Sequence, residues 1–279
     1  MQQLGNGFLD LAIALPLPPS LPPYSTTIIL VTLLSRFALL PFTIWGKNRA
    51  RRIEEVVMPK IEELKPLVTK QVFEAMQKER IKGDKAFLQE THAKRSMEIL
   101  DKKREELFAE HKCRPLPSII IPPLSQLPVF VVMTIALGRL SVDPTPFDSE
   151  SFLTLSTLAH PDPTMTLPIL LGVLTMANVE SSNWLMTAAE RERMRKAEEA
   201  NAKRAAESGV TSIRPQSVVK NGLRVLSIGR IIVAAMTPGS ITLYWLTSAA
   251  FGLLQTWTMD WLDIRRRRRL QKNLLMRPK

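Results

Sequence analysis

Tyr24–Trp45 reads YSTTIILVTLLSRFALLPFTIW. It holds one formal charge, Arg36, in 22 residues. Crossing a hydrocarbon core of about 30 Å takes roughly 20 apolar residues in a helix, so this stretch is long enough to span a membrane. Three more regions follow the same pattern. Leu116–Leu137 carries no charge despite Pro117, Pro122, Pro123 and Pro128. Met165–Met186 carries only Glu180, near its end. Leu223–Met259 is too long for one span and divides at Pro238-Gly239, residues suited to a turn. The expected fold is therefore all-α: a polytopic membrane protein with five transmembrane helices.

The charge distribution supports that division. Mean hydropathy is near zero, +0.01, and the net charge is +12 over 279 residues. Yet of 38 basic residues, 18 lie in Lys47–Arg114, 10 in Arg191–Arg230 and 8 in Arg265–Lys279. With five spans these three blocks share one side of the membrane. The opposite side holds Asp10, Asp143, Asp148, Glu150 and Asp162 against a single Arg139. Basic loops face inward, so the amino end is expected outside and the carboxyl end inside.

The chain then divides as follows. Residues 1–23 form an outside lead-in, 24–45 the first span, and 46–115 a large inside segment. Residues 116–137 form the second span, 138–164 an outside loop, 165–186 the third span, and 187–222 an inside basic loop. A short fourth span, 223–236, and a full fifth, 240–259, precede an inside basic tail, 260–279. The fourth run is short for a span, and a re-entrant segment fits its length too. In the lead-in, Leu4, Phe8, Leu11 and Ile13 have helical spacing before a proline cluster. That spacing suits an amphipathic helix on the outer membrane face, and a disordered lead-in serves the composition equally. The first 35 residues contain no Lys or Arg, so neither a secretory signal nor a transit peptide is expected.

The inside segment carries 18 basic and 13 acidic residues between Lys47 and Arg114. Ile53, Val57, Ile61, Leu64, Val68, Val72 and Met76 step by four or three. After Lys82-Gly83-Asp84, Leu88, Met97, Leu100 and Leu107 continue. This predicts an antiparallel helical hairpin, with Pro59 and Pro66 breaking or kinking its first helix.

Catalytic chemistry has no foothold. There is no glycine-rich phosphate loop, no Ser/His/Asp constellation and no pair of deep carboxylates. Cys113 is the only cysteine, and His92, His111 and His160 are scattered, so no metal site, cofactor or disulfide framework is expected. What remains is Arg36, deep in its span, where a cation costs about 2.5–3.5 kcal/mol on insertion scales. Such a residue implies a hydrated cavity or a negative client. Other polar residues recur in the spans, among them Gln126, Thr175, Asn178 and Ser248.

Several segments resemble the YidC/Oxa/Alb membrane protein insertases. Ser35-Arg36-Phe37-Ala38-Leu39-Leu40-Pro41-Phe42 is similar to the family's Arg five residues before a Pro. Met58-Pro59-Lys60-Ile61-Glu62-Glu63-Leu64-Lys65 resembles the segment after that span. Pro115-Leu116 and Pro122-Pro123-Leu124-Ser125-Gln126-Leu127-Pro128 resemble the start of the next core span. Pro161-Asp162-Pro163 with Leu167-Pro168 resembles the outside loop. Pro238-Gly239 with Leu243-Tyr244-Trp245 and Ser248 is similar to the final hairpin. The charged hairpin, Ala177-Asn178-Val179-Glu180 and the short tail resemble the mitochondrial branch that assists cytochrome c oxidase assembly.

The resemblance implies a non-enzymatic translocase in the mitochondrial inner membrane, with the amino terminus in the intermembrane space and the hairpin and carboxyl terminus in the matrix. It implies a polar groove holding Arg36, Gln126, Thr175, Asn178 and Ser248, with Pro238 and Gly239 as a structural turn. The implied partners are a client membrane protein such as a cytochrome c oxidase subunit, membrane lipids and assembly factors. Stable ribosome docking and a specific nucleic-acid partner are not expected. Two other classes fit parts of the pattern. A small anion transporter would show saturable solute flux, and a non-transporting assembly scaffold would use Arg36 only structurally.

Overall fold

The helix that begins at Pro23 does not stop where its apolar run ends. In the computed structural model, which describes residues 2–184, 195, 199 and 215–275, α2 spans Pro23–Arg52. One π-helical turn, Ile53–Val57, joins it directly to α3, Met58–Lys78. Before it lies α1, Gln2–Ala14. After it come α4, Lys85–Glu110, and α5, Pro115–Leu140. A 3₁₀ turn at Pro146–Ser149 precedes α6, Thr166–Trp184. Two helices close the chain, α7, Pro215–Ala235, and α8, Gly239–Leu275. Among the described residues the architecture is all-α, with one isolated bridge between Phe152 and Leu155.

Two helical stretches are long and apolar enough to cross a membrane, Pro23–Lys78 and Pro115–Leu140, and Thr166–Ser181 is a shorter apolar helix. Many of their large apolar side chains point outward. On α5, Leu116, Ile120, Leu124, Leu127, Val131 and Ile135 form one exposed stripe. On α7, Val225, Leu226, Ile228, Ile232 and Val233 are exposed too. Meanwhile Ser240, Thr242 and Ser248 of α8 are buried. Apolar faces outside and hydroxyls inside mark a surface made for lipid.

The chain forms two compact units. One comprises Met1–Arg36 and Val132–Lys279, the other Phe37–Val131. In the second unit α3 and α4 are antiparallel. Val57 and Ile61, at the start of α3, pack with Leu107, Phe108 and Cys113 at the end of α4 and beyond. Val68, Val72 and Met76 pack with Ile81, Leu88 and Leu100. The Asp84 carboxylate caps α4 by accepting from the Lys85 N–H at 2.7 Å. One expected stripe residue, Met97, instead points outward at 65% exposure. The break or kink expected from Pro59 and Pro66 near the start of this helix has a counterpart in the π-turn Ile53–Val57, which lies directly ahead of Pro59, and α3 runs on through Pro66. In the same unit a Cβ at Gly46 would stand 2.8 Å from the Ser118 carbonyl oxygen and 2.5 Å from Pro122 Cγ. The bare glycine lets α2 and α5 approach this closely.

In the first unit, two buried carboxylates of the loop at 138–164 start the helices. Glu150 accepts from the Tyr24 N–H at 2.8 Å and the Ser25 N–H at 2.6 Å. Asp162 accepts from the Leu167 N–H at 2.8 Å and the Thr164 N–H at 3.0 Å. The loop's Phe147 is fully buried, against Phe8 of α1 and Tyr24 of α2, with ring centroids 6.5 and 5.6 Å away.

The helix starts and stops differ from the expected divisions at two places. The helix holding the short fourth run begins at Pro215 rather than Leu223, and its 21 residues reach about 32 Å at 1.5 Å each. The fifth run and the basic tail form one 37-residue helix, α8. Of the basic loop 187–222, only 195, 199 and 215–222 are described; its remaining residues, 185–186 of the third run and 276–279 of the tail lie outside the described residues.

Candidate functional site

Arg36 stands on α2, at the end of the stretch that belongs to the first unit. Its guanidinium Nη2 donates to the Ser248 hydroxyl of α8. Both residues belong to that unit, and Arg36 is half-buried. One turn earlier on α8, Tyr244 is buried. Residues four apart share a helix face, so Tyr244 and Ser248 present their hydroxyl groups on one side of α8.

This face continues in both directions as a polar seam. Toward the loop at 138–164, Ser141, just past the end of α5, and Ser240 of α8 meet oxygen to oxygen at 2.8 Å. The Trp245 indole N–H donates to the Thr134 hydroxyl of α5 at 3.1 Å. Further along α8, Thr256 donates to Asn178 Oδ1 of α6 at 3.1 Å. Near the end of α6, Glu180 accepts from Arg224 Nε of α7 at 2.6 Å. A helix bundle in lipid gains nothing from burying apolar groups, so interhelical hydrogen bonds and close packing take that role.

One end of the seam is closed by the turn at Pro238-Gly239. The Gly239 N–H donates to the His160 carbonyl at 2.9 Å, and the Ser240 N–H to the Leu158 carbonyl at 2.8 Å. A Cβ at Gly239 would meet Leu155 Cδ2 at 2.7 Å and the Thr157 carbonyl oxygen at 3.1 Å. Glycine is therefore the residue that lets the turn lie against the loop at 138–164.

The sequence-predicted groove residues separate into groups. Arg36 and Ser248 touch. Asn178 joins the seam one step away, through Thr256. The Thr175 hydroxyl turns back to the Leu171 carbonyl of its own helix at 2.7 Å. Gln126 stands half-buried on the part of α5 that belongs to the second unit. Sequence reasoning missed the Glu180–Arg224 pair, Arg230 and Thr256. For the ion pair a signal was available, since Glu180 and Arg224 carry opposite charges near the same expected membrane side. Thr256 carried none, because its partner is 78 positions away.

At the ends of two apolar runs, an arginine folds back over a tryptophan one turn before it. Arg49 Cζ lies 4.0 Å from the Trp45 ring centroid, and Arg265 Cζ lies 3.5 Å from that of Trp261. Tryptophan favours the headgroup depth, and the stacked cation marks where apolar helix gives way to basic helix. On the outer surface Asp143, Asp148 and His160 bring possible ligand atoms within 4.8 Å of one another, all exposed. His160 Nε2 is 3.7 Å from Asp148 Oδ1, a pairing that carries opposite charges only when the imidazole is protonated.

Residues 64–265 match the family described as 60Kd inner membrane protein. The chain is 26% identical over 232 residues to the membrane protein insertase YidC of Fusobacterium nucleatum, covering 83% of each. It is 25% identical over 270 residues to the mitochondrial cytochrome c oxidase assembly protein COX18 of Saccharomyces cerevisiae, covering 85% of this chain and 79% of that one. With the Pongo abelii protein of the same name it shares 29% over 160 residues, 54% of this chain. That match spans less than half of the ape protein, 41%.

Proposed function

We propose a membrane protein insertase, on the premise that this chain belongs to the 60Kd inner membrane protein family. Its relatives include the insertase YidC and the mitochondrial cytochrome c oxidase assembly protein COX18. The reading is a translocase of the mitochondrial inner membrane that moves hydrophilic segments of client membrane proteins out of the matrix, in service of cytochrome c oxidase assembly. The chain crosses five times, its amino end in the intermembrane space and its three basic blocks in the matrix. The observation that carries the reading is Arg36 bonded to Ser248 on a polar seam, inside helices whose outer faces are apolar.

The mechanism follows from where charge and water sit. A client tail bearing a carboxylate leaves the matrix only if its charge is compensated on the way. Arg36 supplies an opposite charge, and a hydrogen bond to a charged group is worth about 1.5–3 kcal/mol. Ser248, Tyr244, Asn178 and Thr256 offer hydroxyls and an amide that stand in for water along the tail. Closure of the Pro238-Gly239 turn against the outside loop keeps the seam from becoming an open pore. No bond is made or broken, so the work is done by compensation of charge alone.

Site-specific crosslinking tests this. Photoreactive residues at Thr247, Phe251 and Thr256 are expected to capture newly made membrane proteins, with acidic-tailed clients prominent. Capture only of folded partner subunits, and never of a nascent client, would favour a scaffold and reject the insertase.

A further inference from the structure

Arg230 occupies the middle of the apolar stretch of α7, between Ile228 and Ile231, and is half-buried. Its guanidinium Cζ lies over the Trp245 ring, 5.9 Å from the centroid. That ring is fixed by the hydrogen bond from Trp245 to Thr134. Among the described residues Arg230 has no carboxylate partner; the tryptophan face is what holds it. Arg36 is held by Ser248, and Arg230 by Trp245, three positions earlier on the same helix. Residues three apart are neighbours on a helix face, so both arginines reach the same stretch of α8.

A cation such as Arg230 is expensive to keep within a span, and an aromatic face offsets only part of that cost. A structural role for one arginine does not account for the second. The contact holding Arg230 sits at the outer limit of a cation–π interaction, about 6 Å, so a carboxylate exchanges readily for it. We propose that Arg230 is a second cationic receptor in addition to Arg36, and that the preferred client segment carries two carboxylates close together in sequence. This rests on the insertase reading.

The test uses the full chain in liposomes of zwitterionic phospholipid. The probe is a membrane-anchored synthetic peptide whose short hydrophilic tail carries no, one or two adjacent Asp residues. Protection of the tail from added protease measures transfer. With the unaltered protein the two-Asp tail is expected to transfer roughly tenfold better than the one-Asp tail, the scale of one hydrogen bond to a charged group. In Arg230→Gln the ratio should fall to about one, and Arg230→Lys should restore most of it. A ratio near one in the unaltered protein, or an undiminished ratio in Arg230→Gln, overturns the second receptor. Because the ratio is internal to each preparation, a poorly accumulating variant still reports it. If Arg230→Gln does not fold, the unaltered protein's ratio decides. Transfer of no tail at all by the unaltered protein overturns the insertase reading and this inference with it. Transfer without a ratio overturns the inference alone.

Discussion

Arg224 of α7 and Glu180 of α6 form an ion pair with Nε 2.6 Å from Oε1. The glutamate side chain is 22% exposed and the arginine 42%. This partial exposure sets the expected size of the effect. Breaking a fully buried pair costs about 3–5 kcal/mol, and an exposed one is worth about 0–1. Glu180→Gln or Arg224→Gln alone should therefore lower stability by about 1–2 kcal/mol, between those limits. The charge swap Glu180→Arg with Arg224→Glu should recover most of the loss. Denaturant unfolding in detergent measures both. A swap no better than the worse single variant would show that the pair is not coupled.

Asp162 gives a pH dependence with a definite sign. Burial pushes its carboxyl pKa up, but hydrogen bonds from the Leu167 N–H, the Thr164 hydroxyl and N–H, and the Thr154 hydroxyl outweigh burial and hold it below its ordinary value. A carboxylate depressed in the folded state contributes its stability above the unfolded pKa, about 3.9, and loses it as pH falls through the folded value. Asp162→Asn is expected to cost about 1–2 kcal/mol at neutral pH, the range of a lost helix cap. The difference between the two proteins should shrink below about pH 4. Hydrogen exchange at the Leu167 and Thr164 amides, followed against pH, reads the effect locally. An Asp162→Asn difference that grows on acidification would contradict this account.

The helices were legible from the chain because their apolar runs are long, and the antiparallel pairing of α3 with α4 because one stripe repeats at helical spacing. The site was legible only in part. Arg36 announced itself by its depth, but Ser248 lies 212 positions away, and no local pattern joins them. Asp162 and Glu150 counted as loop charges. Their role as helix caps depends on folding that brings Glu150 to Tyr24, 126 positions earlier. Pro59 pointed to a break or kink near the start of its helix, and a π-turn sits directly ahead of it, the kind of irregularity that accompanies a kink. The helix α8 falls short of a plain hydropathy threshold for the reason that makes it interesting. Ser240, Thr242, Tyr244 and Ser248 are buried, so the polarity that lowers its average faces inward, away from lipid.

Topology is directly measurable. Tags placed before Leu4 or within 138–164 should be accessible from the intermembrane-space side of mitoplasts. Tags in 79–84 or after 270 should be accessible only once the inner membrane is opened. The three basic blocks, with 36 of 38 basic residues, set this orientation through the inward preference of positive loops. Finding both chain ends on one side would defeat the five-span arrangement.

Arg36 separates reception of a client from structural support. Holding the cation within a span costs about 2.5–3.5 kcal/mol. A charge-assisted hydrogen bond such as the one to Ser248 returns about 1.5–3 kcal/mol. These nearly cancel, so Arg36→Ala should accumulate at close to normal levels. The Ser248 hydroxyl left behind has an acceptor at hand in the preceding turn of its own helix. Export of acidic client tails should nevertheless fail in Arg36→Ala and in Arg36→Glu. Arg36→Lys should retain much of the activity, since the charge remains although the planar fork is lost. A purely bundle-supporting arginine predicts the reverse order, with Arg36→Ala poorly accumulated and whatever remains fully competent. Abundance and tail exposure measured in the same cells distinguish the two. Normal abundance together with normal export in Arg36→Ala would remove the receptor role, because neither the fold nor the client would then depend on that charge.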